Sequence, residues 1–388
     1  MVNMEKLRMM MEEQGIELMI VSSGENIFYT SQFPSIPSVR NRGVFNQSRI
    51  SNAVFVVINS KDKETFICTV GMAGVAEKHS IIKDIRFSGT GIYFERIPTE
   101  EKAVFKSDPH DCLIEVIREH GPVKRIGIEP RYVSSDLYQK LSSAFPGVEW
   151  ADGQSVFSKL REIKSPEEIT RIRQAVAVTV KGLKAATALI AEGTREEEIL
   201  IAYKNTLLNN DCDWGTTTLG AGKNSGETYN IAGEYNLQRG DIVRFDCGAV
   251  YKGYFSDLAR CYAVGEIPDR AKKLFDAIYR AEQGIVQRLE PGVKLGDLFD
   301  YGMKVVWDAG FPQYKRGNLG HSFGLVVHEP PLISEGNAQV VAPGMVFAVE
   351  APFYIPSFAG VNAENNVVVT EKGIEIMDKD FETELKII

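Results

Sequence analysis

The chain is short of histidine, of paired cysteine and of long apolar runs, and each shortage closes off a class of protein. No apolar stretch approaches the roughly 20 residues needed to cross a bilayer, so a membrane-spanning helix is not expected. The five cysteines (Cys68, Cys112, Cys212, Cys247 and Cys261) are scattered and odd in number, with no CxxC pair. They offer neither a disulfide frame nor a thiolate zinc site, and suit reduced thiols in a cytosol. Positive charge is in deficit, with 44 Lys and Arg against 52 Asp and Glu and a net charge of -8. A nucleic-acid-binding surface would show the opposite balance. The N-terminus, Met1 to Arg8, is charged and leads into MMMEEQGIELMIV rather than a secretion-signal core, so the expected location is the cytoplasm. What remains is ordinary for a soluble protein: 44% hydrophobic and 25% charged residues over 388 positions, a length suited to two or three domains.

The first 150 or so residues alternate helical and strand patterns. Glu5 to Gly15, Pro109 to His120 and Ser135 to Phe145 read as helices, and Glu17 to Val21, Ala53 to Ile58 and Arg125 to Ile128 as strands. Such alternation predicts an α/β layer structure, and no ligand cluster or phosphate loop falls in it. A boundary is expected near Val156 to Ser165, giving domains 1–155 and 156–388. Just beyond it, Ser165-Pro166-Glu167-Glu168 is a strong helix start, with Ser165 as N-cap, proline at the first helical position and Glu168 closing a capping box. A second capping box is expected at Thr194 and Glu197, and further helices over Pro268 to Leu289 and Leu295 to Ala309. Strands are expected over Asp241 to Val250, Tyr254 to Val264, Val346 to Ala351 and Asn366 to Val369, so this half reads as one α+β unit.

The chemistry is concentrated there. Asp246 lies in the apolar run GDIVRFDCGAVYKGYFSDLAR, where a carboxylate is costly unless paired or metal-bound. Asp257 follows a Tyr251-Lys252-Gly253 turn, which would bring it back beside Asp246; the bland alternative pairs Asp257 with Arg260 or Arg244. Two of the five histidines, His321 and His328, fall within eight residues, beside glycines and prolines. Glu350 ends the apolar strand Met345 to Val349, and Glu364 precedes another apolar strand. Four carboxylates and an imidazole carry more negative charge than a protein interior holds without cations. Two divalent ions would balance it, and two-metal sites are a recurring means of activating water for hydrolysis. Oxygen-rich ligands suit manganese, cobalt, iron or zinc. Cys247 and Cys261 flank the cluster but are read as small hydrophobes packed on the backs of strands.

These stretches resemble the pita-bread metallohydrolases, the family of methionine aminopeptidase, aminopeptidase P, prolidase and the metal-free creatinase. The resemblance rests on LREIKSPEEI, GDIVRFDCGAVYKGYFSDLAR, GHSFGLVVHEPP, PGMVFAVEAP and GVNAENNVVVTEKG, in the family's order and spacing over about 160–373. It implies a creatinase-like α/β N-terminal domain followed by an α+β pita-bread catalytic domain, and the Xaa-Pro dipeptidase or aminopeptidase branch. It also implies a homodimer and two divalent metal ions, manganese or cobalt foremost, with zinc or iron as alternatives. Carried over by motif, Asp257 and Glu364 would bridge the ions, Asp246 would complete one, and His321 with Glu350 the other. Glu350 would be the general base, and His328 would hydrogen-bond the peptide.

Two positions depart from the family pattern. Tyr229, in Asn224 to Asn230, stands where the family places a substrate-gripping histidine, and no histidine occurs between His120 and His321. Asn362 stands where prolidases and aminopeptidase P carry an arginine, whose permanent charge and bidentate fork asparagine cannot supply. Arg316 and Arg49 are candidates to replace it. Tyr229 and Asn362 are thus the expected substrate-binding positions, and they motivate an alternative reading, a metal-dependent amidohydrolase or lyase acting on a small zwitterion. A catalytically silent binding module is a third.

Overall fold

The computed structural model describes residues 3–35, 53–89 and 108–388, and divides into two compact units, Met1–Arg161 and Glu162–Ile388. Arg49, one of the two candidates to replace the family arginine, lies outside the described residues.

In the first unit a six-stranded sheet is ordered Asp84–Ser88, Glu64–Thr69, Phe55–Asn59, Leu18–Val21, Arg125–Ile128, Glu149–Asp152. Parallel and antiparallel pairings are mixed, Leu18–Val21 being antiparallel to Phe55–Asn59 and parallel to Arg125–Ile128. Helices Pro109–Glu119 and Ser135–Ala144 bury Cys112, Leu113, Val116, Leu137 and Leu141 against sheet residues Leu18, Ile20, Phe55 and Val57. The chain thus forms the α/β layers that its alternating pattern implies. Buried Glu129 accepts hydrogen bonds from the Ser22 and Ser23 amides and Asn26 Nδ2, which makes it a structural clamp within this unit.

The second unit begins at the expected capping box. Glu168 N donates to Ser165 Oγ and Ser165 N to Glu168 Oε2, and the helix runs Pro166–Thr187. The second capping box does not form. The next helix is Glu196–Asn209 with Arg195 at the N-cap and no side-chain cap. Its first free amides are met by main chain instead, Glu196 N donating to Tyr235 O and Glu197 N to Gly233 O. A distant segment has taken over the work of a local side chain.

Two five-stranded sheets follow. One is ordered Lys386–Ile387, Leu258–Ala263, Ile242–Tyr251, Asp213–Ala221, with Tyr254–Phe255 paired to Ile242–Tyr251. The other is ordered Glu329–Leu332, Gly320–Ser322, Val346–Glu350, Glu364–Thr370, Gly373–Ile376. Helices Asp269–Val286 and Leu295–Asp308 pack an apolar core with Phe347, Val349, Val367 and Val369. Because strand side chains alternate faces, Glu350, Glu364 and Asn366 project from the face opposite that core.

The strand expected over Tyr254 to Val264 is broken. Tyr254–Phe255 ends before Ser256 and Asp257, and pairing resumes at Leu258. The break is held by Ser256 N donating to Ala249 O and by Ser256 Oγ, which lies 2.8 Å from Thr179 Oγ1. A Cβ at Gly248 would collide with the Ser256 carbonyl, so the close approach requires glycine there. Conversely, Glu364 does not precede its strand but opens it.

Candidate metal centre

Each ligand candidate is placed by strand register. Asp246 lies opposite Ala259 in the antiparallel pair of Ile242–Tyr251 with Leu258–Ala263, and Asp257 stands in the break two residues earlier. Glu350 and Glu364 are direct partners across Val346–Glu350 and Glu364–Thr370. His321 lies on Gly320–Ser322, the strand on the other side of Val346–Glu350, opposite Ala348. The first residue of that strand, Gly320, has φ +143°, and a Cβ there would lie 2.6 Å from Ala348 O. Glycine therefore lets His321 close onto the sheet.

Two groups of ligand atoms result, each gathered within 4.8 Å: Asp246, Asp257 and Glu364, and Asp257, His321 and His328. Asp257 belongs to both. Glu350 is brought alongside by its pairing with Glu364. The His321 and His328 rings lie 4.1 Å apart, His321 buried and His328 exposed. His321 Nε2 is 3.8 Å from Asp257 Oδ2, and its Nδ1 is 3.1 Å from Ser322 O, which orients the ring. Asp257 Oδ1 and Glu364 Oε2 are buried without a hydrogen-bond partner. Orphaned carboxylate oxygens of this kind are costly, and a divalent cation satisfies them. The donor set, oxygen with imidazole, fits such an ion. Cys247 and Cys261 belong to neither group; their thiols contact the carbonyls of Thr218 and Asn362.

Electrostatics follow from burial. Desolvation pushes Asp246 up to about 6, opposed by Arg244 and reinforced by Glu350. Asp257 and Glu364 are raised well above the ordinary carboxylate range, by burial first and by neighbouring carboxylates second. Glu350 is raised by burial, against the pull of Arg316 and His328. Burial and the neighbouring His328 push His321 down to about 3, so its imidazole is neutral and able to bind metal.

The substrate-side candidates separate. Asn362 is buried, with Nδ2 3.5 Å from Glu350 Oε2. Tyr229 is 87% exposed and stands in solvent rather than among the carboxylates. Arg316 Nη2 lies 3.5 Å from Glu350 Oε1.

Supporting residues emerge that sequence patterns do not single out. Neither arginine offered as an alternative partner for Asp257 pairs with it. Arg260 binds Asp378 and donates to Glu364 O, both at 2.5 Å, fixing the backbone of a ligand candidate. Fully buried Arg244 lies 3.5 Å from Asp246 Oδ2, donates to Ser225 O and Glu227 O, and lies over the Tyr354 ring. Glu196 gathers Ala221 N, Asn224 Nδ2, Asn230 Nδ2 and Gly233 N, clamping both ends of the segment that carries Tyr229. Glu329 is buried rather than solvated. It accepts from the Leu325 and Val326 amides and from Lys164 Nζ, and so shapes the loop bearing His328. A helix start at Glu196 and charged residues inside apolar strands were the available signals, but neither names a partner.

The fold and the site together define a metal-dependent hydrolase. Residues 170–371 match the model of metallopeptidase family M24, and residues 3–163 match the creatinase/prolidase N-terminal domain. The chain belongs to metallopeptidase family M24. It is 27% identical over 372 residues to YkvY of Bacillus subtilis, provisionally named a dipeptidase, covering 94% of this chain and 93% of that one. Its fold is that of an Xaa-Pro dipeptidase from Bacillus anthracis (TM-score 0.83, 24% identity, 99% of each chain) and of the prolidase from Pyrococcus horikoshii (TM-score 0.79, 23% identity, 98% of each chain). The protein is therefore a metallopeptidase with a creatinase-type N-terminal domain. Among the described residues, no helix is long and apolar enough to cross a membrane.

Proposed function

We propose that the protein is a two-metal peptidase that cleaves the bond before proline in dipeptides or short peptides, working as a homodimer. The observation that carries this reading is the meeting of Asp246, Asp257 and Glu364 with ligand atoms within 4.8 Å of one another, and with orphaned oxygens on Asp257 and Glu364. Asp257 and Glu364 would be shared between two divalent ions, manganese or cobalt foremost, Asp246 would complete the set for one, and His321 with Glu350 for the other. Bound ions of this kind supply a Lewis acid and an acidified water. Glu350, held between Arg316 and Asn362 with its proton affinity raised by burial, takes the proton of the attacking water and returns it to the departing proline nitrogen. His328, exposed beside His321, hydrogen-bonds the peptide as the tetrahedral carbon forms. Asn362 and Tyr229 complete the proposed substrate-binding set.

The test is hydrolysis of an Xaa-Pro dipeptide panel and one longer Xaa-Pro peptide, after loading with manganese, cobalt or zinc, against a chelated control. Metal-dependent cleavage before proline supports the reading. Absence of cleavage with two metals bound per chain overturns it.

Metal affinity should also depend on pH in a stated direction. Asp246 is raised to about 6, so below that value a proton occupies it and competes with the cation. Affinity should rise as pH climbs through about 6, by roughly tenfold per unit below it for each proton displaced. His321, lowered to about 3, stays neutral throughout and adds little slope, whereas Asp257 and Glu364, raised well above the ordinary carboxylate range, add to the rise. Calorimetric titration of the chelated protein with manganese between pH 5 and 8 reads this directly, and a flat profile would count against the buried carboxylates as ligands.

A further inference from the structure

Several cations approach the carboxylates, and most are buried out of reach of a substrate. Arg260 is spent on Asp378, Phe381 O and Glu364 O. Lys164 is buried and bound to Ser322 Oγ and Glu329. Arg244 is 0% exposed, bound to carbonyls of Ser225 and Glu227, with its Nη1 sealed from solvent 3.5 Å from Asp246 Oδ2. Arg316 differs. Its side chain is 24% exposed, its contact with Glu350 Oε1 is 3.5 Å, and its Nε is buried with no hydrogen-bond partner. A saturated guanidinium–carboxylate pair is shorter, about 2.7–2.9 Å, and often bidentate, so donors remain to spend.

The segment holding this cation is anchored. Two residues earlier, Tyr314 is buried, its hydroxyl donating to Pro352 O at 3.1 Å and its carbonyl accepting from Trp307 Nε1 at 2.9 Å. Five residues later comes His321. Across Glu350, the other oxygen faces Asn362 Nδ2, which is uncharged. Arg316 is thus a part-exposed permanent charge set against the group proposed as general base.

In an Xaa-Pro dipeptide the free carboxylate is attached to the carbon bonded to the scissile nitrogen. A residue that binds that carboxylate must therefore lie within a few ångströms of the base that serves the nitrogen. In a longer peptide the same place holds a neutral amide. Resting on the peptidase reading above, we propose that Arg316 is the specificity-determining residue that takes the free carboxylate of the substrate, and that it makes the protein a dipeptidase.

The test uses the full-length, metal-loaded protein, with Ala-Pro and Ala-Pro-amide as substrates and L-proline and prolinamide as equilibrium ligands. Metal content is measured for every variant. The wild type should prefer the dipeptide to its amide. Arg316→Gln should lower the dipeptide-to-amide ratio of kcat/KM by about tenfold or more, through the KM of the dipeptide. It should also weaken binding of proline but not of prolinamide, and Arg316→Lys should recover part of both effects. Equal cleavage of dipeptide and amide by the wild type, or an equal loss on both substrates through kcat in Arg316→Gln, would overturn the proposal. If the wild type cleaves neither substrate, the peptidase reading fails by itself. Proline binding then decides on Arg316 alone: unchanged affinity in Arg316→Gln overturns its role.

Discussion

Glu350→Ala should lower kcat on Ala-Pro by about a thousandfold or more, because one side chain has two jobs. It is the proposed base, a role whose removal costs roughly 10²–10⁴-fold, and it is a ligand candidate paired across the sheet with Glu364. Metal stoichiometry should fall with turnover. A merely damaged fold can be separated from this outcome. Glu350 is a largely enclosed carboxyl, 12% exposed, whose ionised form is disfavoured by desolvation, so its removal from the metal-free protein should leave the melting temperature unchanged or higher. Wild-type turnover in the variant would defeat the assigned role; lost turnover with a lowered melting temperature of the metal-free protein would point to misfolding instead.

Arg260→Met should be the most destabilising single change in the catalytic unit. Arg260 is 1% exposed and binds Asp378, Asn365 Oδ1 and the carbonyls of Glu364, Phe381 and Glu382. Methionine fills similar volume but leaves Asp378 as a buried, uncompensated carboxylate. Breaking one side of such a pair costs about 3–5 kcal/mol, which for a unit of this size lowers the melting temperature by roughly 10 °C. Pairing it with Asp378→Asn should restore part of the loss, since the buried charge is gone. Thermal unfolding of the single and double variants checks both statements. Full stability in Arg260→Met would mean that the network is neutral. Metal binding should suffer as well, because Glu364 loses the donor that fixes its main chain.

Much of the site could be read along the chain. Asp246 and Glu350 stand out because carboxylates inside apolar strands need a partner, and Ser165 with Glu168 marks a helix start by contacts three residues apart. The failures have one cause. Thr194 and Glu197 carry the same capping pattern, yet the carbonyls of Gly233 and Tyr235 reach that helix first. Arg244 and Arg260 were offered to Asp257, but Arg244 lies by Asp246 and Arg260 is spent on Asp378.

The sequence by itself determined which residue types are available, which of them sit in strands, and which helices cap themselves, since those depend on side-chain period and on bonds within a turn. Tertiary structure alone decided that Glu350 faces Glu364, that Asp257 sits in a break closed by Ser256 against Gly248, and that Arg316 reaches Glu350 while Tyr229 stands in solvent. Strand register is set by the burial of a whole face, and a buried charge takes whichever partner the packed sheets bring to it, however far away along the chain.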